Sequence, residues 1–170
     1  MPIPGLTIRR SEPGDYLDLH RLYSSPRASA QTLQLPHASA EEWRTRLASI
    51  PEGRYNLVAV IDDHVIGMIS IGMSNRPRRR HAGNIAIGIR DDWQGKGVGT
   101  ALMEAGIDLA DNWLDIMRLE LEVHADNEAA IRLYTRFGFE VEGRLRKFAF
   151  RDGEYIDCLA MARLRERKDI

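Results

Sequence analysis

The chain has 170 residues and a mass of 19.3 kDa, a size typical of one domain around a single core. Its 24 basic and 25 acidic residues give a formal net charge of −1, so no overall basic field attracts nucleic acid or an anionic membrane. One cysteine and five scattered histidines argue against a disulfide scaffold and a metal centre. Without a signal-peptide pattern or an apolar run of about 18 residues, we expect a soluble, cytoplasmic protein.

The N-terminal third of the sequence predicts one strand and two helices. Residues 6–9 are a candidate for a short strand, and a helical pattern begins at Pro13. Residues 24–37 contain two prolines and are interpreted as a loop with about one helical turn. Ser39 and Glu42 match a capping box, in which the serine hydroxyl accepts the N3 amide while the Glu42 side chain reaches back to the N-cap, so a second helix is expected to follow.

The rest of the chain predicts a strand–helix–strand–helix unit between two hairpins. The predicted elements are strands at 57–61 and 65–73, an arginine-rich loop at 75–83, a strand at 84–90, a helix from Val98, a strand at 119–124, a helix at 127–137 ended by Gly138, and strands at 140–150 and 155–164. The total is about seven strands and four helices. This predicts an α/β (α+β) fold in a single domain that spans residues 1–170.

A glycine-rich turn follows the strand at 84–90 and leads directly into a helix. Glycines let the backbone turn sharply and direct several N–H groups toward one point. The helix N-terminus adds a partial positive charge, so the turn suits a phosphate or pyrophosphate. A tight turn that binds nothing is the structural alternative. The residues of the turn are Gln94, Gly95, Lys96, Gly97, Val98, Gly99 and Thr100.

Two common phosphate-binding motifs do not match this turn. A Walker A loop needs Ser or Thr after Lys96, where Gly97 stands, and a dinucleotide fingerprint needs glycine where Thr100 stands. The pattern that matches is Gln/Arg-x-x-Gly-x-Gly/Ala, provided by Gln94, Gly97 and Gly99. This pattern resembles the pyrophosphate loop of the GNAT superfamily of N-acetyltransferases.

A second segment, 127–139, resembles the other hallmark of that superfamily and lies about 30 residues beyond the glycine turn, as a βαβα unit requires. Taken alone, it is equally consistent with a helix that buries Tyr134. The resemblance covers nearly the whole chain, from the first strand to about residue 164. A narrower similarity to bacterial L-amino-acid N-acetyltransferases involves Thr32–His37, Asn75–Arg79, Asp111–Leu114 and Asp152–Asp157.

The resemblance implies a mixed, mostly antiparallel sheet that splays at a cleft for acetyl-CoA, with helices on both faces. In such a fold the backbone of Ile87, Gly88 and Ile89 would bond the pantetheine amides, and the Ile89 N–H would polarise the thioester carbonyl. The amides of the glycine turn would hold the pyrophosphate, with Lys96 adding a charge. Asn127 and Ala130 match positions that contact the pantetheine arm or nearby cofactor atoms.

The same resemblance suggests the catalytic groups. Tyr134 matches the tyrosine that protonates the departing thiolate as a general acid. Glu122 is the candidate base, with Glu120 and His124, on the same face of the predicted strand, in reserve. The alternatives are a solvated face and proton removal through a chain of waters. Cys158 is interpreted as a packed residue without an adjacent histidine, so we expect direct transfer rather than an acyl-enzyme.

The candidate residues for binding the acceptor amine depend on the similarity to bacterial L-amino-acid N-acetyltransferases. One arginine of the 75–83 loop could form a bidentate pair with a substrate carboxylate, and Arg76 and Arg78 are the candidates. Most of a charged run is, however, ordinarily solvated. Thr32, Leu33 and Tyr155 are further candidate walls of the acceptor pocket.

Three functions are therefore compared. The first is acetyl transfer from acetyl-CoA to a primary amine, with a free L-amino acid or analogue as acceptor. The second is acetylation of a protein N-terminus, and the third is a non-catalytic acetyl-CoA sensor. We expect no metal, nucleic-acid or membrane partner, and family habit makes a homodimer one expectation.

Overall fold

The computed structural model describes residues 3–166. Its strands are β1 (Thr7–Arg10), β2 (Arg54–Ile61), β3 (His64–Met73), β4 (Ala82–Ile89), β5 (Arg118–His124), β6 (Glu140–Arg151) and β7 (Glu154–Leu164). Its α-helices are α1 (Tyr16–Ser24), α2 (Pro26–Ala30), α3 (Ala40–Ala48), α4 (Val98–Asn112) and α5 (Glu128–Arg136). Three 3-10 turns lie at Pro13–Asp15, Pro77–Arg79 and Asp91–Trp93.

The seven strands form one sheet in the order β1-β2-β3-β4-β5-β7-β6. The β1–β2, β5–β7 and β6–β7 pairs are antiparallel, and the β4–β5 pair is parallel. A parallel pair requires a crossover, which α4 provides between these two strands. The predicted mixed, mostly antiparallel α/β fold is therefore confirmed.

Two details differ from the prediction. The described residues contain five α-helices rather than about four, because the helical turn expected within residues 24–37 forms a helix of its own, α2. Strand β4 begins at Ala82 rather than Asn84, since the Ala82 carbonyl accepts the Ser74 N–H at 3.0 Å and Ala82 pairs with Arg118. Asp91, which holds the start of α2, and Arg118, which pairs with Ala82, both lie more than 30 residues away from the segments that they stabilise. The local pattern of apolar and polar residues therefore does not show these contacts.

The chain divides into two compact units, of which the first comprises the residues up to Ile71 and Ala86–Ile107. Its core gathers α1, α2, α3 and the β2–β3 hairpin around Leu19, Leu22 and Tyr23, and the Tyr23 ring stacks on Trp43 with centroids 4.7 Å apart. The serine half of the capping box predicted for α3 is present, since Ser39 Oγ accepts the Glu42 N–H at 3.2 Å. This packing places a buried tyrosine beside the last residues of β4.

The second unit comprises Gly72–Ile85 and the residues from Asp108 onward. Strands β5, β7 and β6 form an antiparallel ribbon, and its largest fully buried side chains include Leu119, Phe139 and Met161. The Asn127 N–H donates to the His124 carbonyl at 2.9 Å, which ties the end of β5 to the start of α5. The two elements that carry the candidate acid and base are therefore joined by a turn of three residues.

Candidate active site

The glycine turn has the strand–turn–helix geometry that the sequence predicts. Gly95 and Gly97 have φ angles of 72° and 89°, a left-handed region that side-chain-bearing residues rarely adopt. Helix α4 begins immediately afterwards at Val98. Lys96 is exposed, and its Nζ lies 5.1 Å from the centre of the Trp93 ring, so a positive charge is held beside the turn. A helix N-terminus with such a turn and cation favours an anionic group.

The end of β4 approaches α1 closely. A Cβ built on Gly88 would lie 2.6 Å from the Tyr23 ring, a distance that no side chain could occupy without displacing that buried tyrosine. Ile87 and Ile89, on either side of Gly88, are half-buried, and the Ile89 carbonyl accepts the Gln94 amide at 3.1 Å. Glycine at 88 thus lets the backbone at this end of β4 pack directly on an aromatic ring.

Strands β4 and β5 pair over only part of their length. Three residue pairs form the parallel ladder, and its last pair is Asn84 with Glu120. Strand β4 continues to Ile89 and β5 continues to His124.

Helix α5 holds the candidate acid, Tyr134. Asn127 is the N-cap residue of this helix, and its side chain accepts the Ala130 N–H at 3.2 Å; the helix ends before Gly138, which has a φ of 84°. Tyr134 is buried, and its ring lies 5.9 Å from that of Phe139. The tyrosine is therefore positioned by packing, while the Ala130 amide is already engaged within the helix cap.

The polar face of β5 carries the candidate base and its two reserves, and they differ in environment. Glu122 is exposed, Glu120 is half-buried and His124 is buried. Burial opposes ionisation of Glu120, but hydrogen bonds from Arg118 and Arg79 outweigh it and hold the pKa of that carboxyl below its ordinary value. Glu120 is therefore a paired carboxylate that is poorly suited to take a proton.

Cys158 lies on β7 opposite His124 and is 1% exposed. Burial and the nearby Glu122 carboxylate raise the pKa of its thiol to about 11. The thiolate is the nucleophilic form, so this residue is inert near neutral pH. The interpretation of Cys158 as a packed side chain agrees with this environment.

A cavity of about 340 Å³ lies in the second unit, at the start of β4. Arginines from the 75–83 loop and a carboxylate from β5 face it, since Arg76, Arg79 and Glu120 belong to its lining. Arg78 is exposed on the 3-10 turn and is not part of that lining. The remaining lining residues are Gly72, Met73, Ser74, Ala82, Gly83 and Asn84.

The other three candidate acceptor residues are placed as follows. Thr32 directs its hydroxyl into α2, where it donates to the Ala28 carbonyl at 2.9 Å. Leu33 is 68% exposed. Tyr155, at the β6–β7 turn, is exposed beside Phe150, with ring centroids 5.0 Å apart. The first two residues belong to the first unit and Tyr155 to the second.

Sequence reasoning missed one polar centre, the Asp91 carboxylate between β4 and the glycine turn. It accepts hydrogen bonds from four donors, three of which lie 63–66 residues earlier in the chain. No local spacing links such partners. The only available signal was an acidic residue three positions before the glycine turn.

Among residues 3–166, no group of three or more His, Cys, Asp or Glu side chains is arranged to hold a metal ion. Over the same residues, no helix combines the length and the apolar character that crossing a membrane requires.

Comparison with known proteins places the chain in a family. The model of the acetyltransferase (GNAT) family matches residues 16–139. The L-amino acid N-acetyltransferase AaaT of Escherichia coli (strain K12) is 42% identical over 160 residues, which cover 94% of this chain and 98% of that protein. The chain belongs to the GNAT acetyltransferase family.

Solved GNAT structures share the fold. The GNAT-family acetyltransferase from Streptococcus pneumoniae superposes with a TM-score of 0.80 at 28% identity, covering 94% of this chain and 98% of that one. Spermidine N-acetyltransferase from Vibrio cholerae, in complex with CoA and spermine, gives a TM-score of 0.82 at 24% identity, covering 95% and 96%. This GNAT family member is accordingly an N-acetyltransferase, an enzyme that moves an acetyl group to an amine.

Proposed function

We propose that the protein acetylates the α-amino group of free L-amino acids or close analogues, with acetyl-CoA as donor, in one direct step. The observation that carries the proposal is the 42% identity, over almost the full length of both chains, to an L-amino acid N-acetyltransferase. The second support is a cavity lined by Arg76, since a guanidinium suits the carboxylate that distinguishes an amino acid from a simple amine.

Residues of the first unit would bind the donor. The glycine turn suits its pyrophosphate because left-handed glycines and the α4 N-terminus present backbone N–H groups, and Lys96 adds a charge. The backbone of Ile87, Gly88 and Ile89 would hydrogen-bond the pantetheine arm in the manner of an added strand. The Ile89 N–H would stabilise the negative charge that develops on the thioester oxygen.

Residues of the second unit would move the protons. Attack of the amine nitrogen forms the new C–N bond and breaks the C–S bond, leaving a thiolate. The Tyr134 hydroxyl would donate a proton to that thiolate, and the buried position of its ring suits a fixed donor. Asn127 and Ala130, at the start of the same helix, would contact the pantetheine arm or nearby cofactor atoms.

Glu122 would receive the proton that the amine loses, directly or through water. It is exposed on the polar face of β5, whereas Glu120 is committed to two arginines and His124 is buried. A model α-amine has a pKa near 8, so a fraction of the substrate is already neutral at physiological pH. The base therefore needs only modest strength.

Arg76 and Arg78 would hold the acceptor carboxylate, and Thr32, Leu33 and Tyr155 would line the acceptor pocket. Arg76 lines the cavity, while Arg79 beside it is paired with Glu120 at 2.6 Å. A guanidinium that is not committed to a carboxylate of the protein is better placed to take one from a substrate.

We also propose a single-domain, cytoplasmic protein that forms a homodimer. The family habit of dimers is the support for the last point. Light scattering on the purified chain tests it, with a mass near twice 19.3 kDa as the expected result.

The function is tested by free-thiol release from acetyl-CoA with a panel of L-amino acids, polyamines and short peptides, and by mass analysis of the products. We expect turnover with free amino acids and an acetyl group on their nitrogen. Turnover only with peptides would replace the proposal by N-terminal protein acetylation. Binding of acetyl-CoA without turnover across the panel would favour a sensor.

A further inference from the structure

The Asp91 carboxylate gathers donors from two separate segments of the first unit. Its Oδ1 accepts hydrogen bonds from the Ala28 N–H at 2.9 Å, from the Ser25 hydroxyl at 3.1 Å and from the side-chain amide of Gln94 at 3.3 Å. Its Oδ2 accepts the Arg27 N–H at 2.8 Å. One carboxylate therefore joins the start of α2 to the first residue of the glycine turn.

Helix α2 depends on this carboxylate for its N-terminal contacts. The helix has five residues, and an isolated helix of that length is unstable in water. Its own N-cap residue, Ser25, makes no side-chain cap bond, since the hydroxyl donates to the Leu22 carbonyl and to Asp91. The orphan N–H groups of Arg27 and Ala28 are satisfied by Asp91 instead. Asp91, which is distant in sequence, therefore acts as the N-terminal cap of α2.

The two segments joined in this way carry different halves of the proposed reaction. Helix α2 leads to Thr32 and Leu33, the candidate acceptor walls, and the Thr32 hydroxyl is bonded back to the Ala28 carbonyl. On the other side, Gln94 begins the pyrophosphate turn and also donates to the carbonyl of Ile89. Ile89 is the residue whose N–H would meet the thioester.

We propose that Asp91 is a positioning residue, which fixes the acceptor-side segment 25–33 relative to the donor-binding turn. The expected effect on the KM values rests on the proposed acetyl transfer, whereas the hydrogen bonds of Asp91 are observed whatever the function is. Loss of the carboxylate releases two α2 amides, whereas Gln94 keeps its bond to Ile89. The acceptor side should therefore be disturbed more than the donor side.

Asp92 provides a matched control. It lies in the same 3-10 turn and carries the same charge, but it is exposed, and its carboxylate pairs with Arg90 at 2.6 and 2.9 Å. Asp92→Ala removes an equal charge one residue closer along the chain to the glycine turn. Asp91→Asn is the conservative variant, since its amide oxygen can still accept from Ala28.

The experiment measures KM for the amine, KM for acetyl-CoA and kcat in the three variants, together with hydrogen exchange of segment 25–33 without substrates. For Asp91→Ala we expect the amine KM to rise about ten-fold, the acetyl-CoA KM to change less than about three-fold and exchange to accelerate in segment 25–33. Asp91→Asn should be intermediate, and Asp92→Ala should match the unmodified protein. Should Asp91→Ala fail to fold, Asp91→Asn carries the test.

Two results would overturn the inference. One is unchanged exchange of segment 25–33 in Asp91→Asn and Asp91→Ala. The other is an equal rise of both KM values, which would indicate general destabilisation. Failure of the proposed function is seen separately, in the unmodified protein, as absent turnover of free amino acids. The amine KM is then measured with the acceptor that the panel identifies, and the exchange result still decides the role of Asp91.

Discussion

The glycine turn and the arginine-lined cavity are built in opposite ways. The turn is made by consecutive residues, and its left-handed angles at Gly95 and Gly97 follow from residue types that stand side by side. The cavity depends on pairs far apart in sequence, such as Arg79 with Glu120, 41 residues apart. The proposed donor site is thus encoded locally, while the proposed acceptor site depends on long-range contacts. A local change should abolish the first, and single changes should only weaken the second.

The strongest test of the local half is Gly97→Val. A β-branched residue at a φ of 89° is strained by about 1–3 kcal/mol, and its side chain would crowd the approach of a pyrophosphate to the backbone. We expect calorimetry to detect no acetyl-CoA binding in a folded variant. Gly143→Val is the control, because Gly143 lies in β6 with nothing within 4 Å of a built Cβ. Retained affinity in Gly97→Val would contradict the assignment of the loop.

The next largest effect is expected for Tyr134→Phe. The ring and its packing against Phe139 are preserved, and only the proton donor is lost. General-acid catalysis contributes roughly 10²–10⁴-fold, so kcat should fall by about a hundred-fold or more while the affinity for acetyl-CoA stays similar. Initial-rate assays at saturating concentrations of both substrates measure kcat. The control variant Tyr55→Phe, on β2, should keep the full rate. An unchanged kcat for Tyr134→Phe would remove the acid role.

Arg76→Ala tests the proposed acceptor cavity, which depends on long-range contacts. Comparison with Arg78→Ala distinguishes the roles of these two arginines. Hydrogen bonds to charged groups are worth about 1.5–3 kcal/mol, so loss of the guanidinium should raise the amino-acid KM roughly 10- to 100-fold. Arg78→Ala should have a smaller effect, because Arg76 lines the cavity and Arg78 does not. Initial rates over a range of amino-acid concentrations test the order. The reverse order would mean that the acceptor lies elsewhere.

The smallest effect concerns acid stability. The pKa of Glu120 is lowered in the folded protein, so its pairing with Arg118 and Arg79 stabilises the fold above the ordinary value of 4.5 and is lost as pH falls through the lowered pKa. The groups are partly exposed, so the gain is less than about 1 kcal/mol.

Urea unfolding from pH 7 down to pH 3 should show that Glu120→Gln is less stable at neutral pH and that the difference shrinks toward pH 3. Glu122→Gln, on the same face of β5, is the comparison variant. A constant difference between Glu120→Gln and the unmodified chain at every pH would contradict the ion-pair explanation.

The sequence predicted the elements well where one pattern decides them. Alternation along β5 placed Leu119, Leu121 and Val123 in the core, and the glycines placed the start of α4. It predicted about one helical turn where α2 forms but not what holds that helix, because the cap comes from Asp91, more than 60 residues away. Nor does the sequence show that Arg76 lines the cavity while Arg78 does not, because the direction of a side chain near a short turn cannot be deduced from residue spacing.

The central claim is that a free amino acid, recognised through its carboxylate, is the acceptor. The most direct measurement compares kcat/KM for one L-amino acid with that for its α-carboxamide, with the acetylated products identified by mass. The two acceptors share side chain and α-amine and differ in the carboxylate charge. The proposed function predicts that the free acid is preferred by at least about ten-fold. Equal or better turnover of the carboxamide would contradict it and direct the search toward peptide or polyamine acceptors.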